Sequence, residues 1–177
     1  PRGLHIVVCL LIAGFAGMLF ALIPALLKIY LNVNELISTL MLNYVSQLFC
    51  SYLVNNPFVD DQGIARTAKL PTEASIGRLV EGHYLSSAIL IGVALVLVIW
   101  FLLNRTKLGY ELHFMGTNSV SAQTAGIPVN RMMVLTLIIS GALAGCCGAT
   151  QVMGVQYRFT DGFSSGYGFE GIAVAAL

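Results

Sequence analysis

Long apolar stretches separated by polar segments form the main pattern along this chain. Four of them, residues 4–27, 35–54, 85–103 and 132–150, match the ~20 apolar residues that an α-helix needs to cross a bilayer. Apolar sequence resumes at residues 169–177, which are predicted as part of a further span. The pattern therefore predicts an all-α, polytopic transmembrane helix bundle, with residues 1–177 forming a single transmembrane domain.

The polar segments between these stretches predict the loops. Residues 55–84 form the long hydrophilic segment, where Asn-Asn-Pro, Gln-Gly and Leu-Pro indicate turns, so we expect a loop containing at most one short helix. Residues 104–131 form a second polar connector. Residues 28–33 are predicted as a short turn after the first span, in which Pro24 is expected to kink or end the helix. Asn34 then caps the second span.

The connector at residues 104–131 contains its own helix signals. Asn118 is placed to cap a short helix over residues 119–125, Gly126 to end it in the left-handed conformation, and Pro128 to prevent it from resuming. A capped helix of about two turns between two spans is suited to docking another protein. The alternative is a helix that only lies on the membrane surface, and the pattern leaves both interpretations open.

The second predicted span carries an unusual polar stripe. At 100° per residue, one set of positions falls within an arc of about 80°, with Gln47 beside it; the set is Glu35, Thr39, Asn43, Ser46 and Cys50. The functional interpretation is a lining for the path of a polar solute, formed by Thr39, Asn43, Ser46 and Gln47. The structural alternative is hydrogen bonding between helices that only holds the bundle together.

Small residues mark two further features. Gly141, Gly145 and Gly148 lie at spacings that predict a flat face for tight helix packing in the fourth span. Residues 151–168 are rich in glycine, serine and tyrosine and lead back into apolar sequence, which predicts a re-entrant or broken helix lining a cavity. Glu170, near the start of that helix, is interpreted as a structural anchor.

Composition narrows the class of protein. Of the 177 residues, 57% are hydrophobic and 10% are charged, and the mean hydropathy is +0.84. Soluble domains carry about 25% charged residues, so the chain is typical of a multi-pass membrane protein. The net charge of +1 argues against nucleic acid as a partner. The four cysteines show no C-x-x-C spacing, and we predict neither a metal site nor a catalytic group of side chains.

Charges alone do not orient the chain. Arg105, Lys107 and Arg131 flank the connector at residues 104–131, which favours a cytoplasmic location for it. The opposite side carries the cations Arg2, Arg66, Lys69, Arg78 and Arg158. Most of these lie in the long loop, where the positive-inside rule is weaker, so the count leaves the orientation open.

Several stretches carry a family resemblance. The chain resembles the permease subunit of a bacterial ATP-binding cassette importer, in the branch that takes up simple sugars and nucleosides. The stretches that carry the resemblance are I-P-A-L-L-K and N-E-L-I-S-T-L-M-L-N-Y (residues 23–44), G-T-N-S-V-S-A-Q-T-A-G-I (116–127), S-G-A-L-A-G (140–145) and G-Y-G-F-E-G-I-A-V-A (166–175). The stretch N-E-L-I-S-T-L-M-L-N-Y is more similar to the nucleoside-importer subgroup than to classical ribose permeases.

The resemblance implies a location, a docking loop and a set of partners. In this family the cytoplasmic loop docks on the ATPase subunit, and the matching residues here are Gly116, Asn118, Ala122, Gly126 and Ile127. It implies a multi-pass protein of the bacterial plasma membrane that works with an ATPase carrying ATP and Mg, a second permease subunit, and an extracytoplasmic solute-binding protein or lipoprotein. Residues 55–84 and 151–168 would then face outward. Complete family members have more spans, so we expect this chain to be a fragment.

Two other classes of protein remain as alternatives. An ion-gradient-driven secondary transporter would need acidic side chains within the membrane, and only Glu35 and Glu170 are candidates. An intramembrane enzyme would need a grouped nucleophile and base, which the sequence does not offer. The sequence also has no G-x-x-x-x-G-K-[ST] motif for binding ATP, so we predict a subunit that is not itself an enzyme.

Overall fold

A computed structural model describes residues 2–56, 66–71, 76, 87–163 and 166–177. Over these residues the chain forms helices and no β-strand, apart from one isolated antiparallel bridge between Arg66 and Thr160. The helices are α1 (Arg2–Leu31), α2 (Glu35–Asn55), α3 (Ala88–Arg105), α4 (Lys107–Thr117), α5 (Ser119–Thr124), α6 (Val129–Gln151), the π-helical segment (Val152–Gln156) and α7 (Tyr167–Ala175). The predicted all-α fold class is confirmed.

Four helical stretches are long and apolar enough to cross a membrane. They cover Gly3–Leu31, Glu35–Asn55, Ala88–Arg105 and Val129–Gln156, the last joining α6 to the π-helical segment. With a rise of 1.5 Å per residue, a helix of this length spans roughly the 30 Å of a hydrocarbon core. The four spans predicted from the apolar pattern are therefore present as four helices.

The first span is longer than the pattern predicted. α1 continues through Pro24 to Leu31, so proline does not end it, and residues 28–31 are helical instead of a turn. In lipid the backbone has no water to bond to, so an apolar helix is favoured even where proline removes one hydrogen bond. Asn32 then turns the chain with φ 51°, and the Asn34 side chain accepts a hydrogen bond from the Leu36 amide at 3.0 Å, as expected for a cap.

α1 and α6 form the main helix pair of the bundle. They run antiparallel and cross where Gly17 lies against Gly141 and Gly145. A Cβ at any of these three glycines would overlap a backbone carbonyl of the other helix. The Cys146 thiol also lies 3.7 Å from the Leu10 carbonyl oxygen, across the same interface. Small side chains therefore let the two backbones approach, as close packing in membranes requires.

The bundle turns sharply between α3 and α4. The Thr106 hydroxyl donates to the Leu102 carbonyl at 2.6 Å and accepts from the Gly109 amide at 3.3 Å, so one side chain closes α3 and opens α4. Gly109 packs directly on the Leu103 carbonyl, leaving no space for a Cβ. α4 itself was not predicted, because its eleven residues include two glycines and lie within a polar stretch.

Large apolar side chains are mostly exposed in the described part of the chain. No residue of α3 is buried, and Trp100 and Phe101 are more than half exposed. In a soluble protein such a surface would be an interaction site or a liability. On membrane-spanning helices it is the surface that meets lipid or other transmembrane helices.

Candidate functional site

The short helix α5 is capped at its start by Asn118. The Asn118 side-chain oxygen accepts hydrogen bonds from the amides of Val120 at 3.0 Å and Ser121 at 3.1 Å. These two N–H groups would otherwise lack partners in the first turn. The predicted cap and helix start are therefore confirmed, and they explain why a six-residue helix is stable at this position.

The end of α5 is equally well defined. The Ile127 amide donates to the Ala122 carbonyl at 3.0 Å, and the Gly126 amide donates to the Gln123 carbonyl at 3.1 Å. This pair of bonds is the Schellman arrangement, which places a left-handed residue just after the helix. Gly126 has φ +83°, so the predicted glycine stop is confirmed.

The residues matched to the docking loop have different surroundings. Ala122 is fully buried with 0% exposure, so it holds the loop together and offers no surface to a partner. Gly116 lies at the end of α4, with nothing within 4 Å of the position of a Cβ. Val120, in contrast, exposes 68% of its surface, and sequence reasoning did not single it out. Val120 could have been identified from the sequence, because it is an apolar residue in the middle of a polar connector.

The predicted polar stripe lies along one side of α2. Asn43 and Gln47 are both exposed, and the Gln47 amide nitrogen lies 3.5 Å from the Asn43 side-chain oxygen. The Thr39 hydroxyl already donates to the Glu35 carbonyl at 2.8 Å, and Ser46 is half-buried. The two carboxamides therefore keep donors and acceptors available for a further group.

Glycines of α6 differ in their roles. Gly141 and Gly145 lie in the contact with α1 described above, where a Cβ would strike the backbone. Gly148 was grouped with them by its spacing, but a Cβ there would meet nothing within 4 Å. The close approach of α1 and α6 therefore places no requirement on Gly148.

At the end of the bundle opposite to α5, two loop segments meet. Residues 66–71 and 76 pair with residues 153–161, and we call this the interloop contact. Backbone amides of the first segment donate at 2.9–3.0 Å to carbonyls of the second, in the pairs Thr67–Phe159, Leu70–Tyr157 and Ile76–Met153. The Tyr157 hydroxyl donates back to the Ile76 carbonyl at 3.3 Å. The two segments predicted to share one side of the membrane are thus in contact.

The interloop contact also reaches α2. The Ser51 hydroxyl donates to Oδ2 of Asp161 at 2.7 Å, and the Asn55 side chain donates to the Ser51 carbonyl at 2.8 Å. Most of the predicted loop at residues 55–84, including the short helix that the sequence allows in it, lies outside the described residues. Asp60, Asp61, Glu73, Arg78 and Glu81 lie outside them as well.

The chain breaks its helix between α6 and α7. The π-helical segment, which was not predicted, ends at Tyr157 with φ 56°, and helix resumes at Tyr167 after Gly166 with φ +97°. Glu170 lies in the first turn of α7 with its side chain exposed. π-helical turns are often found at functional sites. The predicted interruption near the C-terminal end is thus present, because the described residues 157–163 are not helical and α7 begins only at Tyr167.

The described residues hold no group of three or more His, Cys, Asp or Glu side chains that could bind a metal ion. Cys9, Cys50, Cys146 and Cys147 are all free thiols. The arrangement thus consists of a rigid capped connector at one end, polar groups along one span, and a hydrogen-bonded cover at the other end. These features, on four membrane-spanning helices, define a multi-pass integral membrane protein.

The chain belongs to the family described as the permease component of the branched-chain amino acid transport system, whose pattern matches residues 2–177. It is 33% identical to a guanosine ABC transporter permease of Bacillus subtilis over 100% of this chain and 52% of the relative. It is 33% identical to a glucose ABC transporter permease of Haloferax volcanii, over 94% of this chain and 47% of the relative. The resemblance inferred from the motifs is confirmed.

A nucleoside ABC transporter permease of Lactococcus lactis is 28% identical over 100% of this chain and 51% of the relative. The chain therefore spans about half the length of the curated relatives it matches. No solved structure matches it.

Proposed function

We propose that this protein is the transmembrane permease subunit of an ATP-binding cassette importer for a small polar solute, either a nucleoside or a simple sugar. The relatives named above carry guanosine, nucleosides and glucose in their names. The observation that carries the proposal is α5, a helix of six residues fixed at both ends and held between two spans. Its location suits a coupling helix, on which a partner ATPase docks and through which the ATPase moves the membrane spans.

Rigid connections support this coupling role. α5 is closed by Asn118 and Gly126, and only Ile127 and Pro128 separate that glycine from the start of α6. α6 in turn packs on α1 through glycines that admit no side chain. A displacement of α5 would therefore move α6 and α1 together, because close-packed helices transmit motion without absorbing it.

Energy enters through a separate subunit in this proposal. ATP and Mg would be bound by the partner ATPase, whose closure moves α5 and shifts the bundle between two states of different access. A ligand changes such an equilibrium only through its different affinity for the two states. Val120 is the apolar side chain of α5 that we assign to the contact with the ATPase, because it is exposed while Ala122 is buried.

The solute is proposed to pass along α2. Asn43 and Gln47 carry carboxamides with free donors and acceptors, the groups that hydroxyls of a sugar or the edge of a base need. Thr39 and Ser46 would complete the polar side of the path. The interloop contact lies at the outer end in this orientation, where a solute-binding protein or lipoprotein would deliver the solute.

A second permease subunit, identical or homologous, would complete the path within the bacterial inner membrane. Exposed apolar surface on α3 and on the outer side of α1 is consistent with further transmembrane neighbours as well as lipid. Neither permease subunit modifies the solute covalently in this proposal, since transport leaves the solute unchanged.

Uptake by the complete complex tests the proposal. The full-length permease, its ATPase and its binding protein are reconstituted in liposomes, and uptake of labelled nucleosides, pentoses and glucose is measured. We expect uptake of one of these classes of solute only when ATP is present on the side of the membrane that carries the ATPase. Dissipating ion gradients should leave this uptake unchanged. Uptake that requires a Na⁺ or proton gradient and proceeds without ATP would establish a secondary transporter instead.

A further inference from the structure

A groove of about 580 Å³ lies at the corner between α3 and α4, beside the turn that ends α5. The side chains that line it include Arg105, Lys107, Tyr110, Glu111, Phe114 and Ile127. Its floor is the turn at Thr106, and its far wall is the residue that closes the Schellman arrangement of α5. The groove therefore borders α3, α4 and the turn that connects α5 to α6, the helix through which the proposed coupling passes.

The charge of this groove favours an anion. Arg105 and Lys107 are exposed, and within the described part of the chain neither forms an ion pair or a side-chain hydrogen bond. Glu111 is the acidic residue of the lining, so cations outnumber acids two to one. A guanidinium binds phosphate through two parallel hydrogen bonds, and an ammonium adds a point charge beside it.

Apolar surface continues from the groove along α3. Phe101 and Trp100, one turn before the groove, expose 59% and 55% of their surface. Inside the groove Tyr110 is 68% exposed and stacks on Phe114 with ring centroids 6.2 Å apart. Aromatic side chains of this kind concentrate at the boundary between hydrocarbon and headgroups. Phosphate-binding groups thus lie directly next to a surface suited to acyl chains.

We propose that this groove binds the headgroup of an anionic phospholipid, with its acyl chains lying along α3. A free phosphate ion would satisfy the two cations but not the adjoining apolar surface, and a soluble protein partner could contact the connector side of the groove but not the exposed apolar surface of α3. The bound lipid bridges the α3–α4 corner and the turn after α5. It thereby restrains α5, the helix that the proposed function couples to the ATPase.

Lipid retention measured by native mass spectrometry tests the site on the full-length protein in detergent. Phosphatidylglycerol and phosphatidylcholine with identical acyl chains are titrated separately. We expect wild-type protein to retain phosphatidylglycerol preferentially, and the double variant Arg105→Gln/Lys107→Gln to lose roughly tenfold in that retention. The matched control is Arg131→Gln, which removes an exposed cation of the same connector outside the groove.

Three results would overturn the site. Equal retention of both lipids by the wild-type protein would exclude it without reference to any variant. Displacement of the lipid effect by inorganic phosphate would leave only an anion site. Loss of the ATPase subunit from the double variant with unchanged lipid retention would make the groove a protein-docking surface.

A charge-preserving variant, Arg105→Lys/Lys107→Arg, should keep most of the preference for phosphatidylglycerol over phosphatidylcholine. Comparison with the double glutamine variant then separates the effect of lost charge from misfolding. Since retention is measured without transport, failure of the lipid site leaves the proposed importer function untouched, and failure of the importer function leaves the lipid measurement valid.

Discussion

The Ser51 hydroxyl donates a 2.7 Å hydrogen bond to the Asp161 carboxylate, joining the last turns of α2 to the turn that follows the π-helical segment. These residues are 110 positions apart in the chain. The bond links the span that carries the polar stripe to the interloop contact. A change at one end of α2 is therefore coupled to the loops that cover that end.

Removing either partner of this bond should have the same small effect. For Ser51→Ala and for Asp161→Ala we expect a loss of about 0.5–1 kcal/mol in the free energy of unfolding, since the pair is exposed. The double variant should lose no more than Ser51→Ala alone, because both changes remove the Ser51–Asp161 bond and Ser51→Ala also removes the 3.3 Å bond from the Asn55 side chain. Equilibrium unfolding in mixed micelles measures the cycle. Additive losses would show that the two side chains act independently.

Alanine substitutions at two glycines of α6 should differ in their effect on stability, because only one of these glycines lies where α6 crosses α1. Gly141→Ala places a methyl group into the Gly17 carbonyl, and we expect a destabilisation of about 1–3 kcal/mol from overpacking. Gly148→Ala on the same helix is the matched control. It meets nothing within 4 Å and should be neutral or slightly stabilising, because alanine favours helix. Thermal melting of the purified protein compares them. Equal effects of the two changes would contradict the packing geometry.

Local signals in the sequence were sufficient for α5. Its cap at Asn118 and its left-handed stop at Gly126 depend only on side chains and φ values within a few residues. α4 was missed because Gly109 and Gly116 lower its helix propensity. That helix is fixed instead by the turn at Thr106 and by close packing on Leu103, which no local pattern reveals.

Contacts between segments that are distant in the chain could not be predicted from the sequence. The spacing of glycines identified a packing face on α6 but not the partner helix, so it could not separate Gly145 from Gly148. The interloop contact joins residues about 80 to 90 positions apart, such as Thr67 and Phe159. The direction in which the α2 stripe faces depends on neighbours beyond this chain, and its role in transport stays a prediction.

The polar stripe should affect uptake more than folding. Asn43→Leu or Gln47→Leu removes a carboxamide that we assign to the solute, and each lost hydrogen bond of about 1–3 kcal/mol would lower uptake roughly 5- to 150-fold. Met41→Leu is the control, since Met41 is also exposed but lies roughly opposite Asn43 on α2. Uptake is normalised to the amount of protein in the membrane. A parallel fall in protein amount would assign the stripe to helix packing.

The shape of α5 should matter for coupling. Asn118→Ala removes the acceptor of two amides and should cost about 1 kcal/mol of local stability. Gly126→Ala should cost about 1–2 kcal/mol, because φ +83° is unfavourable for alanine. Both should weaken co-purification of the ATPase subunit. Asn130→Ala, an exposed asparagine of the same connector in α6, should not. Undiminished co-purification of the first two variants would remove α5 from the docking surface.

Orientation decides whether this connector can reach an ATPase at all. In a variant whose four native cysteines are replaced by alanine, a single cysteine is introduced at Gln123 in α5 or at Asp161 beside the interloop contact, both exposed. Because Gln123 precedes α6 and Asp161 follows it, these two positions lie on opposite sides of the membrane if α6 crosses once. A membrane-impermeant maleimide should label Asp161→Cys in intact spheroplasts and Gln123→Cys only after lysis. The reverse pattern would place α5 outside the cell, where no ATP-hydrolysing partner is available.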